Sequence, residues 1–113
     1  MDLGDGRALE LWRDVALAQV HDEWPDLNPR QMAILTIVYL EDGPHTVRGL
    51  AARLGVTKPV ITRAITAMGA ANLVERRRDP ADGRNVLIHR TVEGAIFLDR
   101  LATTIIREAE RLH

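Results

Sequence analysis

Residues 56–90 read VTKPVITRAITAMGAANLVERRRDPADGRNVLIHR. Thr57 is a good helix N-cap and Pro59 suits a first helical turn. Ile61, Ile65 and Met68 then recur at helical spacing, which predicts a helix to about Ala70. Asn72 tolerates the left-handed backbone that leaves such a helix. Leu73 to Arg78 and Arg84 to Arg90 have strand character. Between them Asp79-Pro80-Ala81-Asp82-Gly83 is rich in turn residues. A short cationic helix followed by an arginine-bearing hairpin has the layout of a grip for duplex DNA. The helix fits the major groove and the hairpin can flank it.

Working outward, Thr46 caps a short helix through Leu54, with Leu50, Ala51 and Leu54 as its buried face. Gly55 suits the left-handed exit, so this helix and the next form a helix-turn-helix pattern. Upstream, Asn28-Pro29 reads as an N-cap and a proline at the first helical position. That helix runs to about Leu40, with Met32, Ile34, Leu35, Val38 and Tyr39 inward. Glu41-Asp42-Gly43-Pro44 stops it. Arg7 to about Asp22 is a first helix, with apolar Leu9, Trp12, Ala16 and Val20. Thr91 caps a last one that nearly reaches His113. The expected fold is mostly α: about five helices plus a two-stranded wing, in one continuous domain over 1–113.

A length of 113 residues fits one modest core, and no apolar run is long enough to span a bilayer. The start, MDLGDGRALELWRD, is acidic and unlike a signal peptide, so a cytoplasmic protein is expected. There is no cysteine, which removes disulfides, thiolate metal sites and cysteine redox sensing. The net charge of −1 hides an uneven distribution. From His45 to Arg90 there are nine basic residues against Glu75, Asp79 and Asp82, a net +6, and the remainder carries −7. A basic centre with acidic flanks favours an oriented encounter with a polyanion.

At about 100° per residue, the 57–70 helix puts Ile61, Ile65 and Met68 on one side. Pro59, Thr62, Arg63 and Thr66 fall on the other, with Lys58 at the edge. Exposed β-branched Thr62 and Thr66 are poor for helix stability alone. They suit groove reading, because threonine can hydrogen-bond base edges or phosphates and offers a methyl to thymine. Arg63 can reach a guanine edge or a phosphate. Thr57 and the free amides of the first turn can bind a phosphate. Along a regular strand Arg76, Arg77 and Arg78 alternate sides, so one or two can lie against phosphates while another pairs with an acid. Arg84, at the hairpin tip, is placed to enter a minor groove, with Asp79 or Asp82 available to brace it.

The stretch from Pro29 to Gly94 resembles the winged helix-turn-helix core of the MarR family of bacterial transcriptional regulators. The resemblance covers about Leu27 to Gly94 and is most specific in LAARLGVTKPVITRAI and LVERRRDPADGRNVLIHRT. It implies a DNA-binding lobe at 27–90 and a homodimer on a pseudo-palindromic operator, read here as a repressor. By motif position, Thr57, Lys58, Pro59, Thr62, Arg63 and Thr66 match the reading helix and Arg84 the wing-tip arginine. Asp82 matches the aspartate two residues before that arginine, and Thr46 a phosphate contact. Asn72 stands where the family commonly has glycine.

MarR-like proteins usually dimerise through the first helix and two C-terminal helices, whereas this chain has room for one helix after the wing. That helix carries a heptad pattern, Ala95/Ala102/Ala109 with Leu98/Ile105/Leu112, widened by Leu101 and Ile106. The pattern fits packing on the chain's own first helix or on a partner. A dimer through residues 1–26 and 91–113 is the expectation. The resemblance also admits a small aromatic-acid effector, in a pocket that Trp12 and Trp24 could line.

Catalysis finds little support. There is no serine, no phosphate-cradling glycine loop, and His21, His45, His89 and His113 fall in different elements. No metal or cofactor is expected, and His45 with His89 matters for zinc only if the two converge. The alternative of another class is a winged helix acting as a protein-binding adaptor or anti-repressor. Thr62, Thr66 and Arg84 exposed together favour DNA.

Overall fold

Asn28 starts the second helix as its sequence predicts. Its side chain accepts from the Gln31 amide at 2.8 Å, and Gln31 Oε1 accepts from the Asn28 amide at 2.9 Å, a reciprocal capping box ahead of Pro29. The computed structural model describes residues 3–112, so His113 lies outside the described residues. The elements are α1 Asp5–His21, α2 Pro29–Leu40, β1 His45–Thr46, α3 Val47–Leu54, α4 Lys58–Ala70, β2 Val74–Arg78, β3 Val86–Arg90 and α5 Val92–Glu110. They divide into two compact units. One is Leu27–Phe97; the other is formed by residues up to Asp26 together with those from Leu98.

In the Leu27–Phe97 unit the core is built from each helix's inner face. Ile34, Leu35 and Val38 of α2, Leu50 and Ala51 of α3, and Ile61, Ala64, Ile65 and Met68 of α4 are buried. Thr46 caps α3 by accepting from the Gly49 amide at 2.9 Å. Gly55 leaves α3 at φ 69° and Asn72 follows α4 at φ 59°, both left-handed, the two positions where the sequence offers residues that allow it. The wing has one strand more than expected. The two-residue β1 pairs antiparallel with β3, giving the order β1-β3-β2, with His45 opposite Ile88 and Thr46 opposite Leu87. So short a strand has no periodicity to announce it.

Polar contacts fasten this unit where its elements meet. Tyr39 Oη donates to the Leu73 carbonyl at 2.9 Å and accepts from the Thr91 amide at 2.9 Å. Arg90 donates to the carbonyls of Val38 (2.8 Å) and Glu41 (3.1 Å), closing the C-terminal end of α2, where cations are favoured. His45 Nε2 also donates to the Glu41 carbonyl at 2.9 Å. In the sheet register His45 sits across from Ile88 and His89 across from Glu75. The two histidines therefore stand on opposite faces and do not converge.

In the second unit Val15 and Trp24 are buried. Arg100 stacks over the Trp24 ring at 4.5 Å and pairs with Asp22 at 3.6 Å. The apolar residues singled out on α1 do not form its inner face. Leu9, Trp12 and Val20 are 70%, 73% and 72% exposed, and only Ala16 of that set is half-buried. The heptad positions of α5 lie largely at the surface of the single chain. Ala95, Ala102 and Ile105 are exposed, and the buried stripe is Phe97, Thr104 and Glu108, with Gly94 and Leu101 in line. Small and polar residues make up much of this inward stripe, so it does not stand out as a row of large aliphatics would.

Candidate nucleic-acid interface

The α4 helix presents its polar face outward because Ile61, Ala64, Ile65 and Met68 anchor the opposite side. Lys58, Pro59, Arg63 and Thr66 are exposed and Thr62 is half-buried. The Thr66 hydroxyl donates to the Thr62 carbonyl at 2.9 Å, so its proton is committed while its methyl and oxygen lone pairs remain available. The Thr57 hydroxyl makes no capping bond. The first turn offers fewer amides than the sequence suggests. Pro59 has none, and the Val60 amide donates to the Thr57 carbonyl at 3.1 Å, which leaves Lys58. Thr46 Oγ1 accepts from the Gly49 amide, which leaves its own proton free to donate to an anion.

In the wing, β2–β3 pairing sets Arg76 opposite Ile88 and Arg78 opposite Val86, on the sheet face that carries buried Val74. Arg77 and Glu75 occupy the other face and pair at 3.0 Å. Arg76 lines a cleft with Ile65, Thr66 and Gly69 of α4, so the strand meets α4 there. Arg78 donates to the Gly83 carbonyl at 3.0 Å and ties the strand to the turn.

At the turn Asp82 Oδ1 accepts from the Arg84 amide at 3.1 Å and from its Nε at 3.3 Å. The Arg84 side chain is otherwise 90% exposed. Asp79 does not brace Arg84; its Oδ1 accepts from the Ala81 amide at 2.9 Å and so shapes the turn. The Arg84 backbone and side-chain hydrogen bonds hold the Asp82 carboxyl below its usual range, and the nearby Arg48 charge adds to this. Arg48, in the first turn of α3, therefore belongs to the wing-tip neighbourhood. In the sequence it counts only as charge, since nothing local marks the long-range approach of α3 to the turn.

The cations of the Leu27–Phe97 unit separate into two groups. Arg53 is held by Glu41 at 2.7 Å, Arg77 by Glu75, Arg84 by Asp82, and Arg78 and Arg90 by carbonyls. Among the described residues, Arg30, Arg48, Lys58, Arg63 and Arg76 make no ion pair or side-chain hydrogen bond. No group of three or more His, Asp or Glu among the described residues could hold a metal ion, and no helix there is long and apolar enough to cross a membrane.

Residues 26–85, more than half of the chain, match the family model described as the MarR family. Similar solved structures include the following three. Transcriptional regulator Tm0710 from Thermotoga maritima is 25% identical with a TM-score of 0.66, covering 92% of this chain and 68% of that one. The PcaV transcriptional regulator from Streptomyces coelicolor, solved with its natural ligand, is 27% identical with a TM-score of 0.65, covering 96% and 80%. S. aureus MepR, solved as a DNA complex, shares the fold at 20% identity and a TM-score of 0.75, covering 91% and 81%. No curated protein matches the chain.

Proposed function

The chain belongs to the MarR family of winged-helix transcriptional regulators, and from that premise we propose that it is a sequence-specific binder of double-stranded DNA that acts as a repressor. It recognises a pseudo-palindromic operator as a homodimer in the cytoplasm. The α4 helix lies in the major groove, with Thr62, Arg63 and Thr66 toward base edges and Thr57, Lys58 and Pro59 near the backbone. Arg84 enters the minor groove, braced by Asp82, while Thr46, Arg76 and Arg78 act toward phosphates. Asp79 shapes the turn.

The observation that carries this reading is the set of unpaired cations. An arginine without a carboxylate, beside a largely exposed polar helix face, is suited to a polyanion. The dimer reading draws on α1, whose Leu9, Trp12, Leu17 and Val20 are exposed, and on α5, whose Ile105 and Ile106 are exposed. Apolar surface of this kind marks an association face. Residues 27–90 are then the DNA-binding lobe, and α1 and α5 the dimerising helices.

The test is selection of bound fragments from the source genome with purified protein, followed by affinity measurement over a salt series. Enrichment of inverted repeats with a steep salt dependence is expected. No enrichment together with salt-insensitive binding would overturn the proposal.

A further inference from the structure

Arg30 and Arg63 line one small cleft of about 180 Å³, where the start of α2 lies beside α4. The other lining residues are Asn28, Gln31, Val60 and Ala64, so the cleft holds two cations and no acid. Both arginines are exposed, and neither guanidinium has an ion pair or hydrogen bond. Arg53 and Arg77 of this unit, by contrast, carry carboxylate partners at 2.7 and 3.0 Å.

The backbone there adds a donor. Asn28 and Gln31 satisfy one another in the capping box and Pro29 has no amide, which leaves the Arg30 amide as the free one of the turn. Two guanidiniums sharing a cleft repel one another until an anion lies between them. The planar guanidinium fork matches phosphate oxygens better than a single point charge does.

We propose that Arg30, with Arg63 across the cleft, holds a backbone phosphate of the bound duplex, so that the interface extends beyond α4 and the wing to the start of α2. This rests on the DNA-binding reading above. Arg30 stands on α2 and not on the groove-reading face, so its contact positions the protein and carries no base preference. Arg63 then divides its reach between the groove and this phosphate.

Fluorescence anisotropy of the full chain with a mixed-sequence duplex, over a sodium chloride series, tests the assignment. The variants are Arg30→Ala, Arg30→Lys and Arg84→Ala, each checked by thermal melting. Arg30→Gln serves if alanine lowers the melting temperature. Arg30→Ala is expected to weaken binding severalfold and to reduce the log–log salt slope by about 0.9. Arg30→Lys is expected to keep the slope. Wild-type affinity or wild-type slope in Arg30→Ala, while Arg84→Ala shifts both, overturns the Arg30 assignment alone. Absence of salt-dependent binding by the wild-type protein overturns the DNA reading itself.

Discussion

The Tyr39 hydroxyl occupies the space that a side chain at Gly94 would fill: a Cβ built on Gly94 collides with that hydroxyl and with the Leu73 carbonyl. Glycine here is a matter of close approach and not of backbone angle. Because the Gly94 site is bare, Tyr39 can reach the Leu73 carbonyl and the Thr91 amide at once. Tyr39→Phe leaves both without a partner and should cost about 1–3 kcal/mol. Gly94→Ala should cost more, since overpacking adds a clash with backbone to the same lost bonds. Denaturant unfolding of both variants checks the order. Equal stability of Gly94→Ala and wild type would contradict it.

Removing the wing-tip guanidinium should affect DNA and not folding. Arg84→Ala should lower affinity and reduce the log–log salt slope by about 0.9, with an unchanged melting temperature. Asp82→Ala frees the same arginine from its amide and Nε bonds at 3.1 and 3.3 Å. A smaller loss of affinity with an unchanged slope is expected, because the charge persists while its orientation is lost. A larger loss in Asp82→Ala than in Arg84→Ala would exclude the bracing role.

Thr66 separates methyl from hydroxyl readout. Its proton already goes to the Thr62 carbonyl, so on the proposed DNA-binding reading the methyl is expected to be the recognition element, meeting a thymine methyl. Thr66→Val should keep the operator preference and Thr66→Ser should relax it at one base pair. Sequencing of selected operators distinguishes the two, and the reverse pattern would assign recognition to the oxygen.

The exposed apolar face of α1 predicts association. The wild-type protein should sediment as a dimer at micromolar concentration, and a monomer there would sink the proposal. Trp12→Asp, at a side chain 73% exposed in the single chain, should shift the equilibrium to monomer without unfolding it. Operator affinity should fall with it, because each protomer would then hold one half-site.

Among the described residues, two of the three carboxylates that arginines hold low give a pH signature. Arg84 holds Asp82 low, first through its backbone amide and then its side chain, and the Arg53 hydrogen bond holds Glu41 low. A depressed folded-state value means the contribution is present above the ordinary carboxylate range, about pH 4. It is lost as pH falls through the lowered value. Binding and stability should therefore be flat in these groups near neutrality. Arg53→Met should return the Glu41 midpoint to the ordinary range in an NMR titration, and an unmoved midpoint would refute the pairing.

The helix-turn-helix and wing were legible because their signals are local. Thr46, Gly55, Asn72 and the Asp79–Gly83 turn each act within a few residues of themselves, and the structure places each where its chemistry requires, while Thr57 stands at the N-cap position without a side-chain bond. What escaped depends on distance. β1 exists only because β3 lies beside it, and Arg90 serves α2 across 52 residues through the Val38 carbonyl. Which stripe of α5 turns inward within the single chain was hidden for a related reason. A heptad of alanines and leucines is periodic whichever way it faces, and the buried stripe runs through Thr104 and Glu108, which hydrophobicity does not mark. At the site, the alternation of Arg76, Arg77 and Arg78 was readable, but which of them had an acid waiting was not.

The strand order β1-β3-β2 leaves β2 at the rim of the sheet, bearing Glu75, Arg76, Arg77 and Arg78 in succession. A rim strand is a template on which another chain can extend the sheet, and stacked positive charge is a known guard against that. The arginine run is therefore also expected to disfavour edge-to-edge pairing through the wing. Neutralising all three residues would expose that rim, so a turbid sample and a lost gel shift would share one origin.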